Sequence, residues 1–61
     1  MTTYYVLFRP YDNMFLRAGR YVSFTYSMNN AKHFTSEWSA NKCRERLNDP
    51  ELYVLKKIQR Y

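Results

Sequence analysis

The chain has 61 residues, 46% hydrophobic and 20% aromatic, with ten Lys/Arg against five Asp/Glu for a formal net charge of +5. That apolar content excludes a disordered polar chain, and the length limits it to a single domain, residues 1–61, near the lower bound for a self-sufficient core. Cys43 is the only cysteine, which excludes an intrachain disulfide.

A lone thiol without a signal-peptide pattern suits a reducing, cytoplasmic setting. No apolar run approaches the ~18 residues of a membrane span, so no membrane role is expected. The positive charge points towards nucleic acid, acidic surfaces or simple solubility. Seven tyrosines against one glycine suit half-buried sheets and interfaces, where tyrosine offers contact area with a polar tip.

In chain order, Tyr4–Arg9 is rich in β-branched and aromatic residues and predicts a strand. Tyr4, Val6 and Phe8 share one face of it, and Tyr5, Leu7 and Arg9 the other. Pro10-Tyr11-Asp12-Asn13 is turn chemistry, after which Met14–Arg17 returns as a second strand. Ala18-Gly19 marks a reversal, and Tyr21–Tyr26 alternates as a third strand. Ser27 caps one short turn through Met28–Ala31, leaving Ala31 and Phe34 to plug the core.

A helix follows. Thr35 or Ser36 is its N-cap, Glu37 sits in the positive first turn, and Lys42, Arg44 and Arg46 lie toward the negative end. Ala40, Cys43 and Leu47 form a narrow apolar stripe to lie on the sheet, and Asn48-Asp49-Pro50 ends the helix. Residues 51–59 predict a closing strand, with Leu52, Val54 and Ile58 on one face and Tyr53 and Leu55 on the other. The expected fold is a small α+β domain in ββ(β)αβ order: a three- or four-stranded, mostly antiparallel sheet with one main helix packed on one face.

Both faces of the terminal strands are apolar, which means that both are covered. With the helix placed on Val6, Phe8, Val54 and Ile58, the residues Tyr5, Leu7, Tyr53 and Leu55 are left for another chain. A homodimer, which would also enlarge a small core, or a bound partner protein is the economical answer. Trp38 lies roughly 180° from the apolar stripe, at 3.6 residues per turn. Two placements are open to it: folded back over the helix start, or exposed as an interface anchor.

The chemistry for catalysis is thin. His33 and Cys43 are single residues of their types, and the five acids sit mostly at turns and helix ends. There is no metal-ligand cluster, phosphate-binding glycine loop or nucleophile motif. The expectation is a non-enzymatic protein without a cofactor or metal. Nucleic-acid binding is the alternative: Arg9, Arg17 and Arg20, with Tyr5, Tyr11 and Tyr21, would form a platform on which bases stack between cations, and Lys56, Lys57 and Arg60 add charge. No ribonucleoprotein-type strand motif or helix-turn-helix accompanies them.

Tyr5-Val6, Asn13 to Leu16, Ala31 with Phe34, Ala40, Leu47 and Tyr53-Val54-Leu55 follow a familiar sequence of positions. In them the chain resembles the small accessory proteins encoded by phages and prophages of Gram-positive bacteria. The likeness spans most of the chain through fold-type positions, and Trp38 is this sequence's own. The resemblance implies a protein that acts in the host cytoplasm without catalysis, by binding and modulating or inhibiting a host protein. Compact anti-defence proteins directed at systems such as Hachiman are similar in size. No functional residue is carried over from them.

Overall fold

The computed structural model describes residues 2–17, 19 and 21–60. Strands β1 (Thr2–Arg9), β2 (Met14–Arg17), β3 (Ser23–Thr25) and β4 (Val54–Arg60) form one sheet, with helix α1 (Glu37–Glu45) between β3 and β4 in sequence. The strand order is β3-β2-β1-β4, and each neighbouring pair is antiparallel. The expected α+β architecture is the observed one. No helix among the described residues is long and apolar enough to cross a membrane.

The turn after β1 is built by Asp12 and Asn13. Asn13 takes a left-handed φ of 57°, which asparagine tolerates better than most residues, and the Asp12 side chain accepts from the Met14 N–H. β3 covers only Ser23–Thr25 of the expected Tyr21–Tyr26. At its flanks Tyr21, Val22 and Tyr26 are exposed. The short turn after it is a 3-10 segment, Met28–Asn30. Ser36 is the N-cap of α1: its hydroxyl accepts from the Ser39 N–H at 3.2 Å, satisfying a donor that the first helical turn leaves free. Pro50–Leu52 forms a second 3-10 turn ahead of β4.

The sheet is splayed between its two central strands. β1 and β2 are in register only at Phe8↔Phe15 and Arg9↔Met14. Beyond that point residues 31–34 enter the gap. The Tyr5 N–H donates to the Phe34 carbonyl at 2.8 Å, the Phe34 N–H returns to the Tyr5 carbonyl at 2.9 Å, and the Lys32 N–H donates to the Leu16 carbonyl at 2.8 Å. Ala31 packs with Tyr4 and Val6 on one side of the sheet, whereas Phe34 packs with Leu7, Leu16 and Ala40 on the other. The chain therefore passes from one face to the other between β1 and β2, satisfying the backbone groups that the splay leaves unpaired.

This crossing corrects the expected facing of the helix. α1 lies on the side of Tyr5, Leu7 and Leu55, with Ala40 fully buried against Leu7, Leu16 and Phe34. It does not lie on Val6, Phe8, Val54 and Ile58. The grouping of side chains by strand parity holds: β1 and β4 pair Leu7↔Leu55 and Phe8↔Val54. Which group meets the helix is decided by the crossing, which delivers Phe34 and then α1 to the Leu7 side. The opposite side is not bare either, because Ala31 and the half-buried Phe15 and Ile58 close over Tyr4 and Val6. Val6 and Leu7 are both 0% exposed, so this chain covers both faces of its central strand by itself.

Within the Tyr4 cluster one polar atom stands out. The Tyr4 hydroxyl is buried and has no hydrogen-bond partner among the described residues, although its ring stacks on His33 at 4.0 Å. An unsatisfied buried hydroxyl opposes folding. Tyr4→Phe should leave stability unchanged or raise it by up to about 1 kcal/mol, read as the midpoint of urea unfolding; a clear loss would mean that the hydroxyl has a partner in solution.

Candidate functional site

α1 packs on β1 and β4, so the β2–β3 half of the sheet is left beside the helix as the wall of a groove. Three adjoining clefts make it up. The largest, about 550 Å³, lies along the exposed side of α1 and is lined by Lys32, Phe34, Trp38, Ser39, Lys42, Cys43 and Arg46. Lys32 and Cys43 also line the second, together with Leu16, Arg17, Tyr21 and Leu47. Val22 and Leu47 carry it into the third, which Arg9, Arg46 and Asp49 also line. The floor is apolar, from Phe34, Cys43 and Leu47, with the exposed Val22 at its edge, and the rim is mainly cationic. Trp38, Lys42 and Arg46 recur at four-residue spacing, which places them on one face of the helix turns.

The charges at the mouth are held over rings. The Lys42 Nζ lies 5.6 Å from the Trp38 ring centroid, and the Lys32 Nζ lies 5.6 Å from that of Phe34, both within reach of a cation–π attraction. Lys42 also pairs with Glu45 at 3.7 Å, but both side chains are more than half exposed, and such a pair binds weakly.

The residues expected to form a site fare differently. Trp38 is 69% exposed, which settles its placement as standing out from the helix. Leu7 and Tyr53 are buried and Tyr5 and Leu55 half-buried. Tyr5, Leu7 and Leu55 pack in the cluster that Ala40 of α1 closes, and Tyr53 stacks on Phe24, so these four belong to the chain's own interior and not to an open face. The missing signal was the crossing of the sheet, which has no local sequence pattern. The position of Trp38 off the apolar stripe was legible; its alignment with Arg46, the addition of Lys32 and the apolar floor were not.

The basic residues are not brought into one patch. Arg17 is exposed and lines the second cleft, Lys56 sits 4.3 Å over the Phe8 ring on the face away from α1, and Lys57, opposite Tyr5, is exposed on the other face. Arg20 lies outside the described residues. Arg9 points inward. Its Nη2 donates to Asp12 Oδ2 at 2.6 Å and its Nε to the same carboxylate at 3.1 Å. Its guanidinium carbon lies 3.7 Å from the Phe24 ring centroid and 5.0 Å from that of Tyr11. Arg9 thus clamps the turn and is not offered to phosphate.

The Arg9 hydrogen bonds hold the Asp12 carboxyl below its ordinary range, and Asp12 in turn raises Arg9. A depressed carboxyl contributes stability above its unfolded pKa and loses it as pH falls through the folded value, so the clamp opens only in acid below the ordinary carboxylate range. Arg9→Lys keeps the charge but loses the planar fork and the ring contact. It should cost about 1–2 kcal/mol of stability; a variant as stable as the parent would remove Arg9 from the turn's supports.

Among the described residues no group of three or more His, Cys, Asp or Glu is placed to hold a metal ion. The His33 ring is committed to Tyr4, with Nε2 3.3 Å from the Met28 carbonyl. Compared with protein-family models, curated proteins and solved structures, the chain matches none of them.

Proposed function

We propose that the chain is a non-enzymatic binding protein of the phage accessory type, which modulates or inhibits a host protein by holding part of it in the groove beside α1. One observation carries this reading: Trp38, the only tryptophan in the sequence, stands exposed at the mouth of a cleft floored by Phe34 and Cys43. An exposed tryptophan costs solvation unless a partner covers it, and tryptophan is among the residues that most often dominate protein interfaces. The phage character rests on the resemblance in sequence. Capture of a host protein by the immobilised chain tests the reading. Trp38→Ala should weaken capture by about thirtyfold, as loss of an interface hot spot does, and should leave the melting temperature unchanged because the side chain is exposed. Undiminished capture would sink the groove as the site.

Self-association belongs to the same proposal, on a different surface from the one expected. The Phe8 and Phe15 rings lie 5.0 Å apart, tilted to each other, on the face away from α1, with Val54, 47% exposed, beside Phe8 in register. A homodimer through these residues would bury them; a monomer by sedimentation at tens of micromolar removes self-association from the proposal.

A second reading is favoured by the charge around the same cleft. Lys32, Lys42 and Arg46 surround an exposed indole, and a single strand could stack a base on Trp38 and set phosphates on the cations. Such binding would fall steeply with salt, and the absence of retardation of single-stranded DNA or RNA at low salt would dispose of it.

A further inference from the structure

The groove is unequal along its length, and this inference rests on the reading of it as a protein-binding site. Its first cleft is lined by Lys32, Lys42 and Arg46 and its second by Arg17 and Lys32, with no carboxylate lining either. The third contains Asp49 together with Arg9 and Arg46. Each of the other four acids lies outside the groove lining: Asp12 is bound by Arg9, Glu45 is beside Lys42 on the solvent side, and Glu37 and Glu51 line none of the three clefts. Beneath the cations lies an apolar floor. We infer that the occupant is an acidic protein segment: a short stretch carrying two or more carboxylates beside an aliphatic or aromatic side chain, with its acidic part at Trp38 and Lys32.

The complementarity has two components. The apolar side chain enters the first cleft against Phe34, Cys43 and the Trp38 ring, where burial of its surface supplies affinity. The carboxylates meet Lys42, Arg46 and Lys32 at the rim, where charge mainly sets specificity and the rate of encounter. A nucleic-acid strand fits less well. It supplies phosphates for the cations and a base for the Trp38 ring, but no side chain for the apolar recess of Phe34 and Cys43, which a peptide fills.

Trp38 is a built-in reporter because no other tryptophan is present. The probe is a capped synthetic peptide of sequence DEDELFSK, with KRKRLFSK and a short oligothymidylate as controls. Titration of DEDELFSK should move the Trp38 emission to shorter wavelength in a saturable manner, and KRKRLFSK should not. Lys42→Glu with Arg46→Glu should weaken DEDELFSK binding by about a hundredfold, some tenfold for each reversed charge. Both side chains are exposed, so far-UV circular dichroism of this variant should match the parent; the neutral pair Lys42→Gln with Arg46→Gln should give an intermediate loss. Equal response to the acidic and basic peptides overturns the inference, as does tighter binding of oligothymidylate, or no response to any probe. The two readings fail separately. If Trp38→Ala abolishes capture of a host protein while DEDELFSK leaves the emission unmoved, the groove stands and the acidic occupant falls. If capture survives Trp38→Ala, the groove reading falls and takes the inference with it.

Discussion

Phe34→Ala should leave the chain largely unfolded at room temperature. Truncating a buried phenylalanine costs about 3–5 kcal/mol, and a core of this size rarely supplies more than about 3–5 kcal/mol in total. Phe34 is 6% exposed and packs with Leu7, Leu16 and Ala40. Its backbone closes two hydrogen bonds with Tyr5 in the gap between β1 and β2. Loss of the ring therefore removes apolar burial and loosens the segment that fills the splay. Phe34→Leu should recover most of the loss, since volume is largely kept. Urea unfolding followed by circular dichroism reads both variants. A Phe34→Ala protein that stays folded with only a slightly lowered midpoint would show that the crossing segment is peripheral to the core.

The second large effect tests which side of the sheet meets the helix. Leu7→Ala should destabilise by about 3 kcal/mol, within the range for a fully buried leucine, because Leu7 is 0% exposed beneath Ala40 and Phe34. Val54→Ala, on the other side of β4 and 47% exposed, should cost well under about 1 kcal/mol. With the helix on the Val54 side the two costs would draw together or reverse. Unfolding midpoints of the two variants, measured side by side, decide between the arrangements without a structure of either.

The strands, the turn and the helix were legible because each is specified locally. Alternation marks Tyr4–Arg9, Asp12-Asn13 marks a turn that needs a left-handed residue, and Ser36 with Glu37 marks a helix start. Even the partition of β1 and β4 side chains into two faces follows from the two-residue period of a strand. What remained hidden was set by contacts between distant segments. Nothing near Leu7 says that Phe34 will reach it from the opposite face of the sheet, so the helix was expected on the wrong side and Tyr5, Leu7, Tyr53 and Leu55 were expected to be open. Arg9 read as a rim cation because the rings that enclose it come from Tyr11, Phe24 and Tyr53, which only the finished sheet brings together. In the groove, Trp38 was visible as an outlier from the apolar stripe. Its recess was not, because the floor and Lys32 arrive from other elements.

The passage of residues 31–34 through the sheet also constrains the order of folding. A finished β1–β2 hairpin zipped along its whole length would have no room for the segment, so the hairpin must stop at Phe8↔Phe15 until Phe34 has been threaded in. The final partner of β1 is β4, which pairs Thr2 with Arg60, and this registry closes almost the entire chain into a loop. Such long closures lose entropy before they gain contacts and slow the search for the native state. The rate-limiting event should therefore be the pairing of β4 with β1, with the shorter closure of Phe34 onto Tyr5 formed ahead of it.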